Sequence, residues 1–505
     1  MNHPFRNFVR WFIASGAISI GLSCSHPPKP TTPTVHQPAS PAVASVSDAS
    51  AWRNAPPLPG ISGQFHYPSP VVRTLANGLR LYYVERTTGP VALSAVVSHG
   101  AGDDPPNKSG LSALTAELMV EATTQHHHLA LSEAAEKLGS TLVGSANRDY
   151  IRLSMDSLAE DIDKGLELLA ESLVHPAFLE ADFRRLRNQM LDELRTERQN
   201  PTRIASLVGV RTILGPDFGN PVDGCPESVQ RLSANDAVKW HAQWVTPRET
   251  AVFFVGPIPQ ERAITAVEKA FHNWNRTTPV RPVTADVSPV RPTERTVFLL
   301  DRPSSVQSAI FVVQFFPKRM HDGFIAREHL DNVLGGLFTS RINHNLREIH
   351  AYTYGARTSA IATRSFGLFT VTTSVSSEVT VPALREALSE LAAIRGPVAA
   401  TPINEAELAR SSADLVQSLG AHLEEGHRVL GDLEQLFVYE LPIDYFSHYP
   451  QAVRSVSLEE ANQQAERLTP ERLVIVIVGD ASTLRGTLAD AGFTVAEPPN
   501  ACLDG

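Results

Sequence analysis

The hydrophobic pattern of this chain changes period several times, and each change marks an element. Asn77-Gly78 is a hairpin-turn dipeptide between the runs Val71–Leu75 and Leu79–Val84. Val91–Ser98 is a further β run, and Ser109 is placed to cap a helix over Leu111–Glu121. Leu131, Ala134, Ala135 and Leu138 share one helical face, with Gly139 at its end. Tyr150–Met155 returns to a β pattern. Leu158, Ile162, Leu166, Leu169 and Leu173 recur at helical spacing, which predicts an amphipathic helix over 158–173, stopped by His175-Pro176. Phe183, Leu186, Met190 and Leu194 mark another helix, and Val252–Val255 a short buried strand closing at Gly256.

Residues 276–293 hold Pro279, Pro282, Pro289 and Pro292 with little apolar content, and read as a linker. Beyond it the order of elements repeats. Ser308–Phe316 answers Leu93–Ala101; a helix follows with Ala326, Leu330, Val333, Leu334 and Leu337 in register; Leu473–Val478 and Gly479 close the unit. The two offsets are similar, roughly 220 positions each, which predicts a duplicated α+β unit.

Composition narrows the class. A chain of 505 residues has room for two or more domains with full cores. A net charge of −10 offers no basic field for phosphates, so nucleic acid is not an expected partner. Of the three cysteines, Cys24, Cys225 and Cys502, none forms a C-x-x-C pair, which argues against a cysteine zinc site. Whether Cys225 and Cys502 pair is open at this level.

The amino terminus carries Arg6 and Arg10, then an apolar run Trp11–Leu22 too short to span a bilayer comfortably. Gly21-Leu22-Ser23-Cys24 resembles a bacterial lipoprotein signal, which implies residues 1–24 as signal peptide and lipidation of Cys24. An ordinary cleaved signal is the alternative, and either exports the protein to the periplasm or outer membrane. Residues 25–60, rich in Pro, Ser, Thr and Ala, cannot bury enough apolar surface to fold and read as a tether.

A second resemblance covers about residues 70–490. Asn77-Gly78-Leu79, Gly100-Ala101-Gly102-Asp103-Asp104 and Gly110-Leu111-Ser112 look like the opening of an insulinase-like (pitrilysin, inverzincin) peptidase lobe. Leu334-Gly335-Gly336, Ser340-Arg341-Ile342, Asn345-Leu346-Arg347-Glu348 and Ala351-Tyr352-Thr353-Tyr354-Gly355 resemble the second lobe, with Ala351 where the family usually has glycine. The resemblance implies an α+β fold of two homologous lobes, 70–275 and 294–490. Each would be a mainly antiparallel sheet with packed helices, and together they would enclose a chamber.

Active members of that family hold zinc through H-x-x-E-H on the first lobe's helix. Two histidines four apart reach one metal from one helical face, and the glutamate serves as general base. The matching stretch here is Ala113-Leu114-Thr115-Ala116-Glu117. Ala113 and Glu117 stand at the histidine positions and Ala116 at the glutamate; Glu193, beside Asp192, best matches the third ligand. Alanine neither ligates a metal nor takes a proton, and two carboxylates without imidazole hold zinc weakly. His126-His127-His128 reads as a solvated loop, and His422 and His427, five apart, as an exposed helix face. No metal is therefore expected in this chain.

Arg347 and Tyr354 remain. In the family an arginine and a tyrosine seven apart bind the substrate backbone and stabilise the oxyanion; guanidinium and phenol are both suited to developing negative charge. Some bacterial members divide the work, one subunit supplying zinc and the other this pair. The expectation is a non-zinc subunit, inactive alone, whose partners are an H-x-x-E-H subunit, a peptide substrate and, through the lipid, a membrane. A catalytically inactive peptide-binding or structural protein of the cell envelope is the alternative.

Overall fold

Two sheets of six strands each form the framework, and the second repeats the first. The computed structural model describes residues 66–276, 287, 295–395, 401–498 and 502. The signal segment, Cys24, the tether and nearly all of the linker lie outside these residues. The first sheet comprises β1 (Val71–Thr74), β2 (Arg80–Glu85), β3 (Val91–Val97), β4 (Val143–Ala146), β5 (Ile151–Ser157) and β6 (Thr250–Gly256). The second comprises β7 (Thr296–Asp301), β8 (Gln307–Phe316), β9 (Ala356–Ala362), β10 (Gly367–Ser376), β11 (Val474–Gly479) and β12 (Thr494–Ala496). Their orders are β1-β2-β6-β3-β5-β4 and β12-β7-β11-β8-β10-β9. In both, the second and third strands are parallel and the following pairs antiparallel. Only the first position differs: β1 reaches it by a hairpin, whereas β12 arrives from the chain's far end and runs parallel.

The helices of the first half are α1 (Leu111–Leu118), α2 (His128–Lys137), α3 (Ile162–Val174), α4 (Glu180–Glu197), α5 (Pro201–Phe218), α6 (Pro226–Gln230), α7 (Ala234–Trp244) and α8 (Gln260–Phe271). Those of the second are α9 (Phe324–Asp331), α10 (Arg341–Asn343), α11 (Thr380–Ala393), α12 (Glu405–His422), α13 (Gly426–Val438), α14 (Tyr445–Ser455), α15 (Leu458–Ala465) and α16 (Ala481–Asp490). Among the described residues no helix is long and apolar enough to cross a membrane.

Local signals explain most starts and stops, with two corrections. Ser109 does not cap α1. Its hydroxyl meets that of Ser228 at 2.8 Å, and the N-cap is Gly110 at φ 94°. The first-turn donors go instead to Asp104, whose carboxylate accepts the amides of Gly110 (3.1 Å) and Ser112 (2.9 Å). The helix predicted from 158 begins only at Ile162, because Leu158 is exposed and a 3₁₀ turn, Ala159–Asp161, intervenes. Gly323, the counterpart of Gly110 ahead of α9, also has positive φ, 81°.

The lobes exchange helices. α5 packs on β8 and β11 of the second sheet, while α13 packs on β3 and β6 of the first. Val208, Ile213 and Leu214 share a core with Phe311, Val313 and Val476, and Gly209 lies so close to the Phe311 ring that a Cβ there would sit 2.6 Å from it. Val429, Leu433 and Phe437 share another with Tyr82, Val96, Phe253 and Val255. Each sheet is thus covered by its own helices on one face and by the other lobe's helix on the second. That is why β3, β6 and β11 are apolar and buried on both faces rather than alternating. Buried polar contacts reinforce the clasp: Glu434 on α13 accepts from Ser94 Oγ at 2.6 Å and Arg152 Nε at 2.7 Å, and the Arg364 guanidinium reaches the Ser98 carbonyl at 2.6 Å. Cys225 and Cys502 are joined as a disulfide, Cα–Cα 5.2 Å, tying the chain's end to the first lobe.

Several buried carboxyls are pushed up by burial and make stability depend on pH, Glu328 and Asp104 among them. Glu328 on α9 accepts the Tyr449 hydroxyl at 3.0 Å. Burial pushes its carboxyl up to about 7 from an ordinary 4.5. The folded state therefore holds a proton that the unfolded state has released. This contribution to stability is complete below the unfolded value and is lost as pH rises through 7. Urea melts from pH 4.5 to 8 should show wild type losing more stability over that window than Glu328→Gln; parallel curves would remove Glu328 as a cause.

Candidate functional site

In the first lobe, α1 packs on β4, β5, α4 and α7. Ala113 is 6% exposed and Ala116 fully buried, both within the lobe's core. β4 lies so close along α1 that a Cβ on Gly144 would fall 1.9 Å from the Ala116 carbonyl oxygen. Glu117 is half-buried. Glu193 is exposed on α4, where it accepts from Gln189 Nε2 at 3.0 Å, and its neighbour Asp192 pairs with Arg195 at 2.8 Å. These residues do not fit zinc: two of the positions are alkyl side chains sealed in a core, and no imidazole is present. Among the described residues no group of three His, Cys, Asp or Glu side chains is arranged to hold a metal ion.

Three of the clustered histidines, His126, His422 and His427, are paired with carboxylates. His126 is held by Glu171 (Nδ1 to Oε2, 2.9 Å), which also takes the Thr123 hydroxyl, and His128 opens α2. His422 and His427 do not lie on one exposed helix, contrary to the expectation. The first ends α12 and pairs with Asp432 at 3.1 Å; the second belongs to α13 and pairs with Asp156 at 2.9 Å. A cleft of about 990 Å³ lined by His126, Lys137, Lys164, Glu171, Lys269 and Trp274 includes none of the predicted site residues.

The second lobe mounts Arg347 and Tyr354 on an unusual backbone. After α9 the chain runs through a π-helical turn, Asn332–Gly336, then α10, then a second π-helical turn, His344–Ile349, which carries Arg347. Such widened turns recur where a helix is bent to aim a side chain. Gly335 is required for contact, since a Cβ there would meet the Thr358 amide nitrogen of β9 at 2.3 Å. Arg341 fastens the segment, with Nε and Nη2 bonded to the two Glu407 oxygens at 2.7 and 2.6 Å. Asn343, 5% exposed, donates to the Phe338 carbonyl at 2.7 Å and accepts the Ala356 amide at 3.0 Å.

Arg347 itself is 37% exposed, its Nε 3.4 Å from Glu348 and its guanidinium carbon 4.5 Å from the centre of the Phe338 ring. Tyr354 stands 94% exposed at the tip of a turn. The turn is pinned below it: Thr353 Oγ1 lies 2.8 Å from the Ser374 carbonyl oxygen and accepts the Gly355 amide at 3.1 Å. Both side chains are therefore presented to solvent on a fixed base. Sequence reasoning missed Phe338 and Asn343; an apolar residue between Gly335-Gly336 and Ser340-Arg341 was the available signal.

Ala351 adopts φ 53°, the left-handed region that disfavours a Cβ. Glycine, which the family usually has here, adopts that region without the Cβ penalty. Relief of the clash exceeds the added freedom of an unfolded glycine, so Ala351→Gly should raise stability by about 0.5–1 kcal/mol. Thermal melts check it, and a lower Tm would mean that the strain is not borne at this residue.

The family profile described as "Insulinase (Peptidase family M16)" matches residues 82–208, and that described as "Peptidase M16 inactive domain" matches residues 231–414. Together they take in more than half of the chain, which belongs to the insulinase-like M16 peptidase family. Among similar proteins, an uncharacterized zinc protease, YmxG, of Bacillus subtilis is 21% identical, over 81% of this chain and 98% of its own length. The mitochondrial-processing peptidase subunit alpha of Solanum tuberosum is 23% identical, over 85% of each chain. The crystal structure of a peptidase M16 inactive domain from Pseudomonas fluorescens superposes with a TM-score of 0.74 at 21% identity, covering 81% of this chain and 98% of that one. That likeness carries the fold: α+β, two-lobed, with two six-stranded sheets.

Proposed function

We propose that this chain is the non-zinc subunit of a heterodimeric insulinase-like peptidase, contributing Arg347 and Tyr354 to a zinc site supplied by an H-x-x-E-H partner. One observation carries the reading. The first lobe has alanines sealed in a core at one histidine position (Ala113) and at the general-base position (Ala116), while the donor positions of the second are held outward on a braced segment. Such a surface suits a site completed by another chain. The partner's zinc would supply the activated water and polarise the scissile carbonyl. Arg347 and Tyr354 would orient the peptide and donate to the oxyanion.

Export to the periplasm or outer membrane, with a lipid on Cys24, is part of the same proposal. The disulfide between Cys225 and Cys502 supports it, since such bonds persist in oxidising compartments. Sedimentation of the chain from about residue 60 onward with the H-x-x-E-H family member of the same genome tests the pairing: a one-to-one complex is expected. Two separate species would favour the other reading, an inactive peptide-binding or structural protein of the envelope. The match to a profile named for an inactive domain is consistent with either reading.

A further inference from the structure

We infer that Phe338 is a positioning residue for Arg347, its ring serving as the platform on which the guanidinium rests. The inference rests on the composite-site reading above. Phe338 lies in the turn between the first π-helical segment and α10, and it is 66% exposed. A large aromatic side chain left so open contributes little to a core. Its contact is with Arg347, whose guanidinium carbon lies 4.5 Å from the ring centre, within the range of cation–π attraction.

Glu348 holds the same side chain at Nε, 3.4 Å away, so the guanidinium is fixed from two directions. An arginine with several free rotors would lose that freedom on reaching for a substrate; one already stacked loses less. The platform is itself fixed. Asn343 donates its amide to the Phe338 carbonyl and accepts the amide of Ala356, two residues beyond Tyr354. One buried side chain thus sets the seat of Arg347 and the base of the Tyr354 turn in a common frame.

The test uses the complex with the H-x-x-E-H subunit and a fluorogenic peptide library. Phe338→Ala and Phe338→Leu should each lower kcat/KM roughly three- to fivefold, the size of an exposed cation–π contact. Phe338→Trp should match wild type, since indole is the better platform. Because the ring is exposed, melting temperatures should not move, which separates positioning from folding. In an Arg347→Ala background the Phe338 substitutions should have no further effect. A leucine variant as active as wild type, with Arg347→Ala still impaired, overturns the inference and leaves the composite site standing. If Arg347→Ala is itself harmless, or the mixture cleaves nothing, the composite site falls and the inference with it.

Discussion

In the proposed complex with an H-x-x-E-H subunit, Arg347→Ala should lower kcat/KM by about two to three orders of magnitude, the loss typical of removing one oxyanion donor. Complex formation should be unaffected. The side chain is 37% exposed, its contacts are with Phe338 and Glu348 at the surface, and no core packing is lost with it. Arg347→Lys should recover little, because an ammonium group offers neither the planar fork nor the same stack on an aromatic ring. Steady-state kinetics on one peptide, with sedimentation of the variant complex, separates lost chemistry from lost assembly. Activity within a factor of two of wild type would remove Arg347 from the site.

The second large effect is on folding. Phe437→Ala should cost about 4 kcal/mol, as expected for a large aromatic side chain removed from a packed core. Phe437 is 2% exposed on α13, makes edge contacts with Phe253 and Tyr82 at 6.0 and 6.2 Å, and lies under the Arg80 guanidinium at 4.3 Å. Its partners belong to the other lobe's sheet. The cavity therefore opens at the clasp, and the two lobes should lose their common unfolding transition. Urea melts followed by fluorescence and far-UV circular dichroism are the check. A loss below about 1 kcal/mol, against the range for core aromatics, would mean that the exchanged helix is not what joins the lobes.

Much of this architecture was legible because the signals are local. Asn77-Gly78 reads as a hairpin turn and is one, with Gly78 at φ 93°. The duplicated order of elements reads from two closing strands that end in glycine, and these are β6 and β11 at the centre of their sheets. The exchange of α5 and α13 was not legible. Amphipathic spacing shows that a helix has an apolar face, not which sheet receives it. Ser109 was misread as a cap because the real acceptor, Asp104, lies outside the helix in a preceding turn. His422 and His427 look like parts of one exposed helix only while the break between α12 and α13 is unseen.

The candidate site divides the same way. Ala113 and Ala116 are informative as letters, since in no fold can a methyl side chain ligate zinc or take a proton. The braces of Arg347 and Tyr354 are not: Phe338, Asn343 and Thr353 act through contacts that spacing does not encode. Ala351 was visible as a departure from glycine, but its meaning required the backbone angle.

Cleavage of a fluorogenic peptide library by the chain from about residue 60 onward, alone and mixed with the H-x-x-E-H subunit, with and without a chelator, addresses the composite site most directly. The account predicts no cleavage by either chain alone, cleavage by the mixture, and loss of that cleavage on chelation. Chelator-sensitive cleavage by this chain alone, or none by the mixture, would contradict it.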